Sequence, residues 1–267
     1  MRIKPIVVKE FWQYFSNKNL IVLSTNALVI LVIGLLLIMT GPQYLTPYSK
    51  QVAIKQISEN PLVFGLSKED VTRMGESAIT FASLVSQLPV IIILTSTLSS
   101  YVSIVASLFH ERLNKTMEIL FSSPLSESEI LLGKLLSGLL FSLLSWGSNF
   151  VAVLGLLQYL HLKTLGSMWI PTKYFLVIAV FVPFSMIFLS TSVGLIASIK
   201  IKSPELVNVI SFPLVLVPIV ISFISYRMRL EGALQVYLLL GTVSIVASLI
   251  TAMFGKRVIN RLAFITN

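Results

Sequence analysis

Six stretches of the chain carry no Lys, Arg, Asp or Glu: 19–49, 77–110, 135–162, 174–199, 206–226 and 232–255. Each is at least as long as the roughly 20 residues a helix needs to cross about 30 Å of hydrocarbon. The runs are uniformly apolar. A membrane β-barrel would alternate apolar and polar positions in segments of about ten residues. Backbone buried in lipid must satisfy its own hydrogen bonds, which makes each run a helix. The pattern predicts an all-α integral membrane fold with six transmembrane helices, at about 20–40, 78–108, 135–160, 174–198, 206–226 and 234–254. The 267 residues suit a single membrane domain.

Between the runs, shorter signals predict smaller elements. Ile3, Val7, Phe11, Tyr14 and Phe15 recur at helical spacing, with Lys4, Lys9, Gln13 and Lys18 elsewhere on the wheel. Residues 1–18 therefore read as an amphipathic helix on the membrane surface. The long charged lead and the long first apolar run argue against a cleaved signal peptide. In the loop Thr40–Glu76, Thr46-Pro47 opens one short helix, and Ser67 with Asp70 caps another. Pro89 is expected to bend the second span, and Pro213 and Pro218 to bend or break the fifth.

Composition agrees with the pattern. Hydrophobic residues are 55% and charged residues 12%, against about a quarter charged in a soluble domain. Without Cys there is no disulfide framework, thiol nucleophile or thiolate metal site. The net charge of +9 is read as flanking charge toward anionic lipid, not as a nucleic-acid surface. An even number of spans puts both ends on one side, and that side holds 12 of the 20 Lys and Arg residues. The asymmetry predicts cytoplasmic termini and a multi-pass protein of the plasma membrane.

The segment 110–134, HERLNKTMEILFSSPLSESEILLGK, holds four of the 11 acidic residues. Leu113, Met117, Leu120 and Phe121 share one helical face, and Glu111, Arg112, Lys115 and Glu118 point away from it. Ser122-Ser123-Pro124 ends this helix. Ser126 and Glu129 form a capping box, with Leu125 and Ile130 at staple positions, so the next helix starts at a fixed angle. A well-capped loop fits this pattern, and so does a rigid handle that transmits a push.

These residues resemble a signature that follows the second span of ABC-2 type permeases, the membrane subunits of ATP-binding-cassette exporters. The match runs through Glu111-Arg112, Lys115-Thr116, Glu118, Leu120, Ser123-Pro124-Leu125-Ser126, Glu129-Ile130 and Leu132-Gly133-Lys134. Leu113 departs from it, since an acidic residue is usual there. The resemblance implies that 110–134 is the coupling segment, docking on an ATPase subunit. It implies that Glu111, Arg112, Lys115, Thr116 and Glu118 contact that subunit or support the segment that does, with Pro124, Ser126, Glu129, Gly133 and Lys134 supporting the segment. It further implies two copies of an ABC ATPase that bind ATP and Mg, and a second permease subunit, identical or homologous.

The absences are consistent with this. No G-x-x-x-x-G-K-[ST] loop occurs, since Gly133-Lys134 is followed by Leu135 and Gly255-Lys256 by Arg257. The chain lacks a Walker site and holds no cofactor of its own; it is read as a non-catalytic subunit. No span carries an ionisable carboxylate or amine, which argues against an ion-driven carrier. There is no H-E-x-x-H, and His110 and His161 lie at span edges.

The spans carry small-residue stripes instead: Ser96, Ser100, Ser103 and Ser107; Gly138, Ser142, Ser145, Asn149, Ala152 and Gly155; Gly241, Ser244, Ser248, Thr251 and Gly255. Close helix packing explains such stripes. A weakly polar translocation path is the other reading, with Asn26, Gln87, Ser96, Ser100, Asn149 and Gln158 as its candidates. Such an interior suits an amphipathic or hydrophobic cargo: a drug, peptide or lipid. The rival function is a non-transporting membrane scaffold or assembly factor working with an ATPase.

Overall fold

A computed structural model describes residues 4–16, 19–113, 126–201, 203–227 and 230–258. Among them there is helix and no strand. In chain order the elements are α1 (Lys4–Ser16), α2 (Asn19–Thr40), a 3-10 turn (Gly41–Tyr44), α3 (Pro47–Glu59), α4 (Pro61–Phe64) and α5 (Lys68–Met74). The long helices follow: α6 (Glu76–Leu113), α7 (Glu127–Leu165), α8 (Lys173–Lys200), α9 (Pro204–Arg227) and α10 (Leu230–Val258).

Among the described residues, four helices are long and apolar enough to cross a membrane, over Glu76–Leu108, Glu129–Leu165, Lys173–Lys200 and Gly232–Thr251. The expected first and fifth spans fall on α2 and α9. Their apolar described stretches, Asn26–Thr40 and Val209–Ser225, are shorter than the roughly 20 residues a crossing requires.

Helix α6 is the centre of the bundle, packed against α7, α8, α2 and α9, while α8 also packs on α10 and α1 on α7. Where α6 meets α8, Gly194 lies against Ile104 and Tyr101, so that a Cβ there would overlap the Ile104 side chain. Small residues at such crossings let helix backbones approach.

The loop between α2 and α6 is a packed lid. Thr46 caps α3, accepting from Ser49 N at 3.3 Å. The Ser67–Asp70 capping box on α5 is fully formed, with bonds of 2.8 and 3.0 Å. These hydrogen bonds hold the Asp70 carboxyl below its ordinary pKa. Phe64, Leu66, Val71 and Met74 enter the same core as Phe81 of α6 and Trp169. Gly65 sits at φ 72°, and a Cβ there would crowd Trp169 Nε1 and the Ile170 carbonyl. Trp169 Nε1 donates to Phe64 O at 2.8 Å, and Thr172 Oγ1 to Val63 O at 2.8 Å.

The helical ladder changes just before Pro183, which is not among the prolines expected to bend or break a span. α6 continues through Pro89, and α9 through Pro213 and Pro218. Pro183 in α8 has no N–H to return to the carbonyl of Ala179. Just before it the ladder widens to a π turn over Val177–Phe181, with Val182 N–H bonded to Val177 O. The Ala179 carbonyl is satisfied instead from α7, accepting from Trp146 Nε1 at 2.8 Å. Pro183 lies in plain view within the fourth apolar run and is the signal that would have located this break.

Candidate coupling joint

The expected coupling segment begins at the last turn of α6 and ends in the first turns of α7, and the two roots are joined by a buried ion cluster. Lys134 is 0% exposed. Its ammonium reaches Glu111 at 2.6 Å, Glu10 at 3.0 Å and the Ser107 hydroxyl at 3.1 Å. An ammonium has three N–H donors, and three acceptors face it. Ser107 in turn donates to the second Glu10 oxygen at 2.9 Å. One lysine therefore ties α7 to α6 and to the N-terminal helix α1.

Local sequence positions each member. Ser107 and Glu111 are four residues apart, one above the other on α6. Glu10 and Ile6 share the buried face of α1. Ile6 packs with Ile104, Leu108, Ile130, Leu131, Leu195 and Ile199, which closes the cluster off from solvent. The formal charge is one negative in excess. Burial pushes the Glu111 carboxyl above its ordinary pKa, with Lys134 pulling the other way.

Glu111 does not point outward. Its carboxylate turns inward to Lys134, because pairing that buried ammonium outweighs solvation of an exposed carboxylate. The side chain of Arg112, and residues Lys115, Thr116, Glu118 and Pro124, lie outside the described residues. Ser126 and Glu129 form the expected capping box, with Glu129 N to Ser126 Oγ at 3.3 Å and Ser126 N to Glu129 Oε2 at 2.9 Å. Of the expected staple, Ile130 is buried and Leu125 lies outside the described residues. Gly133 and Lys134 are buried in the first turns of α7. Glu10 was missed by sequence reasoning. A carboxylate among the lysines of an amphipathic helix was its only local sign.

The candidate path residues do not form one lining. Ser100 donates to Ile187 O at 2.9 Å and bonds Thr191 at 2.7 Å. Thr191 is also bonded to the Ile187 carbonyl. Asn149 donates to Thr95 at 2.9 Å, and Ser99 bonds Ser145 at 3.0 Å. Ser96 is fully buried and lacks a hydrogen-bond partner. Both amide atoms of Gln158 are held by the backbone of Trp169, at 2.6 and 3.0 Å. Gln87 is exposed on α6 and Asn26 half-buried on α2. The hydroxyls join helices, α6 to α8 and α7, and α8 to α10 through Ser192 and Ser248 at 3.2 Å. Among the described residues no His, Cys, Asp or Glu group is arranged to hold a metal.

A bundle of long apolar helices, four of them able to cross a membrane among the described residues, is the architecture of a multi-pass membrane domain. The family model for ABC-2 family transporter proteins matches residues 43–263, and the chain belongs to that family. It is thus the membrane domain of an ABC transporter, and its family implies a partner ABC ATPase. No curated protein and no solved structure gives a significant match.

Proposed function

We propose that this chain is the permease subunit of an ABC exporter in the plasma membrane. In this reading it has six spans, both termini in the cytoplasm and α1 at the cytoplasmic interface. Two ATPase subunits bind ATP and Mg, and a second permease subunit completes the complex. Segment 110–134 takes up the motion of the ATPase. The observation that carries the reading is the Glu111–Lys134–Glu10 joint. A displacement of the segment moves the ends of α6 and α7, and through the one ammonium it moves α1 as well. Glu111 supports the segment, and Glu118 with Lys115 and Thr116 meets the ATPase. The cargo is amphipathic or hydrophobic, since the interior offers hydroxyls and amides but no free ionised group among the described residues of the spans.

The test is reconstitution with the ATPase in vesicles, following an amphipathic fluorescent substrate. ATP-dependent movement across the bilayer is expected. ATP hydrolysis that responds to the permease but moves nothing would favour the scaffold reading. The Lys/Arg asymmetry supports the orientation. Cysteines placed at Ser49 and Lys163 of this Cys-free chain should label from outside, and one at Ser126 should not; the reverse pattern overturns the topology.

A further inference from the structure

A groove of about 410 Å³ lies between α1 and α7, lined by Val7, Val8, Phe11 and Trp12 of α1 and by Leu140 and Leu144 of α7 among others, all of them apolar. Its size is within the roughly 300–1,000 Å³ common for ligand sites. Water gains nothing from an apolar groove, whereas an acyl chain from the bilayer fills it at no hydration cost and gains van der Waals contact with its lining. The lip is charged. Lys4, Val8 and Trp12 follow one another at intervals of four on α1, which stacks them on one face, and all three are exposed. Lys9 is exposed beside Val8. Trp12, at 66% exposure, has the amphipathic ring typical of the headgroup level.

We propose that this groove binds a membrane phospholipid with an anionic headgroup. An acyl chain fills the space between Val8, Trp12 and Leu144, and the phosphate faces Lys4. This rests on the interfacial placement of α1 given above. The lipid braces the outer side of α1, whose inner side carries Glu10 to Lys134. The composition of the inner leaflet is thereby sensed at the coupling joint. A zwitterionic lipid fits the groove equally well but gains less from Lys4, so the charge at the lip decides the choice of headgroup.

The test uses full-length permease solubilised from vesicles of equimolar phosphatidylglycerol and phosphatidylcholine, with bound lipid counted by native mass spectrometry. Wild type should retain one phosphatidylglycerol in preference to phosphatidylcholine. Lys4→Gln should retain lipid but lose roughly five-fold of that preference, the effect of about one basic side chain near an anionic surface. Leu144→Trp fills the groove from α7 and should abolish retention. Val8→Trp fills it from the exposed side of α1, and serves if the first variant folds poorly. The proposal is overturned if wild type keeps neither lipid, or keeps both equally, or if a folded groove-filling variant binds as wild type does. Loss of lipid selectivity in a protein that still docks its ATPase would leave the permease reading intact.

Discussion

Lys134 and Glu111 are 2.6 Å apart at the two roots of the charged segment, with Lys134 completely buried and Glu111 largely so. They lie 23 residues apart in the chain, at the two ends of the segment that resembles the permease signature. The pair fixes the ends of α6 and α7 to each other, and Glu10 adds α1 from 124 residues away. Replacing a buried ion pair as a unit is often harmless, but removing one partner strands the other charge.

The joint should therefore respond unequally to its single substitutions. Lys134→Met leaves two buried carboxylates facing each other and should cost about 3–5 kcal/mol. Glu111→Gln and Glu10→Gln each leave the ammonium one carboxylate and should cost less. The check is detergent-phase thermal melting of the three variants. Equal losses in all three would mean that the cluster behaves as three independent contacts.

The Lys134→Met defect should shrink on acidification. Burial raises the pKa of Glu111 in the fold, so the folded state binds the proton more tightly. Its contribution is full below the unfolded value and is lost as pH rises through the folded one. Without Lys134 the main influence opposing burial is gone; Lys9 still lowers the value slightly while Glu10 raises it, and the rise is larger. The melting gap between wild type and Lys134→Met should narrow between pH 7.5 and pH 5. A gap independent of pH would assign the loss to packing.

Charge reversal separates Glu118, proposed to meet the ATPase, from Glu111, which pairs with Lys134. Glu118→Lys should leave the permease melt unchanged and reduce co-purification of the ATPase, since a misplaced like charge at an interface costs several kcal/mol. Glu111→Lys places a second cation against Lys134 and should destabilise the permease itself. If both variants melt as wild type, the inward orientation of Glu111 does not matter for stability.

Trp146→Phe should cost about 1–3 kcal/mol by leaving the Ala179 carbonyl without its donor. Pro183→Ala restores an N–H that can serve that carbonyl within α8. Trp146→Phe should then cost less in the Pro183→Ala background than alone. Additive losses in the double-mutant cycle would show that the indole acts by packing, through its edge contact with Phe184 at 4.7 Å.

Gly194→Leu should separate α6 from α8, because the new side chain overlaps Ile104 and Tyr101. Overpacking of this kind costs about 1–3 kcal/mol. A melt within error of wild type would mean that the two helices slide apart freely, and that the close approach is not required.

The chain order of its elements was legible because each rests on neighbours in the sequence. Apolar runs set the long helices. Thr46 before Pro47, Ser67 with Asp70 and Ser126 with Glu129 set three helix starts, each through a bond between residues three apart. The break in the helical ladder did not follow from counting prolines. Pro213 and Pro218 sit in a continuous α9, while Pro183 lies within α8 just after a π turn, where Trp146 supplies the lost donor from another helix. The site divides in the same way. The sequence alone marked 110–134 as charged and capped, and its resemblance to a permease signature named the family. It did not reveal that Glu111 faces inward, that Glu10 joins it, or that Gln158 serves Trp169. Those pairings depend on how each helix is rotated about its axis and which neighbour it meets. Packing of faces such as Ile6 against Ile104 and Leu108 sets that rotation, and a buried ammonium then takes whatever carboxylates the packing brings within 3 Å.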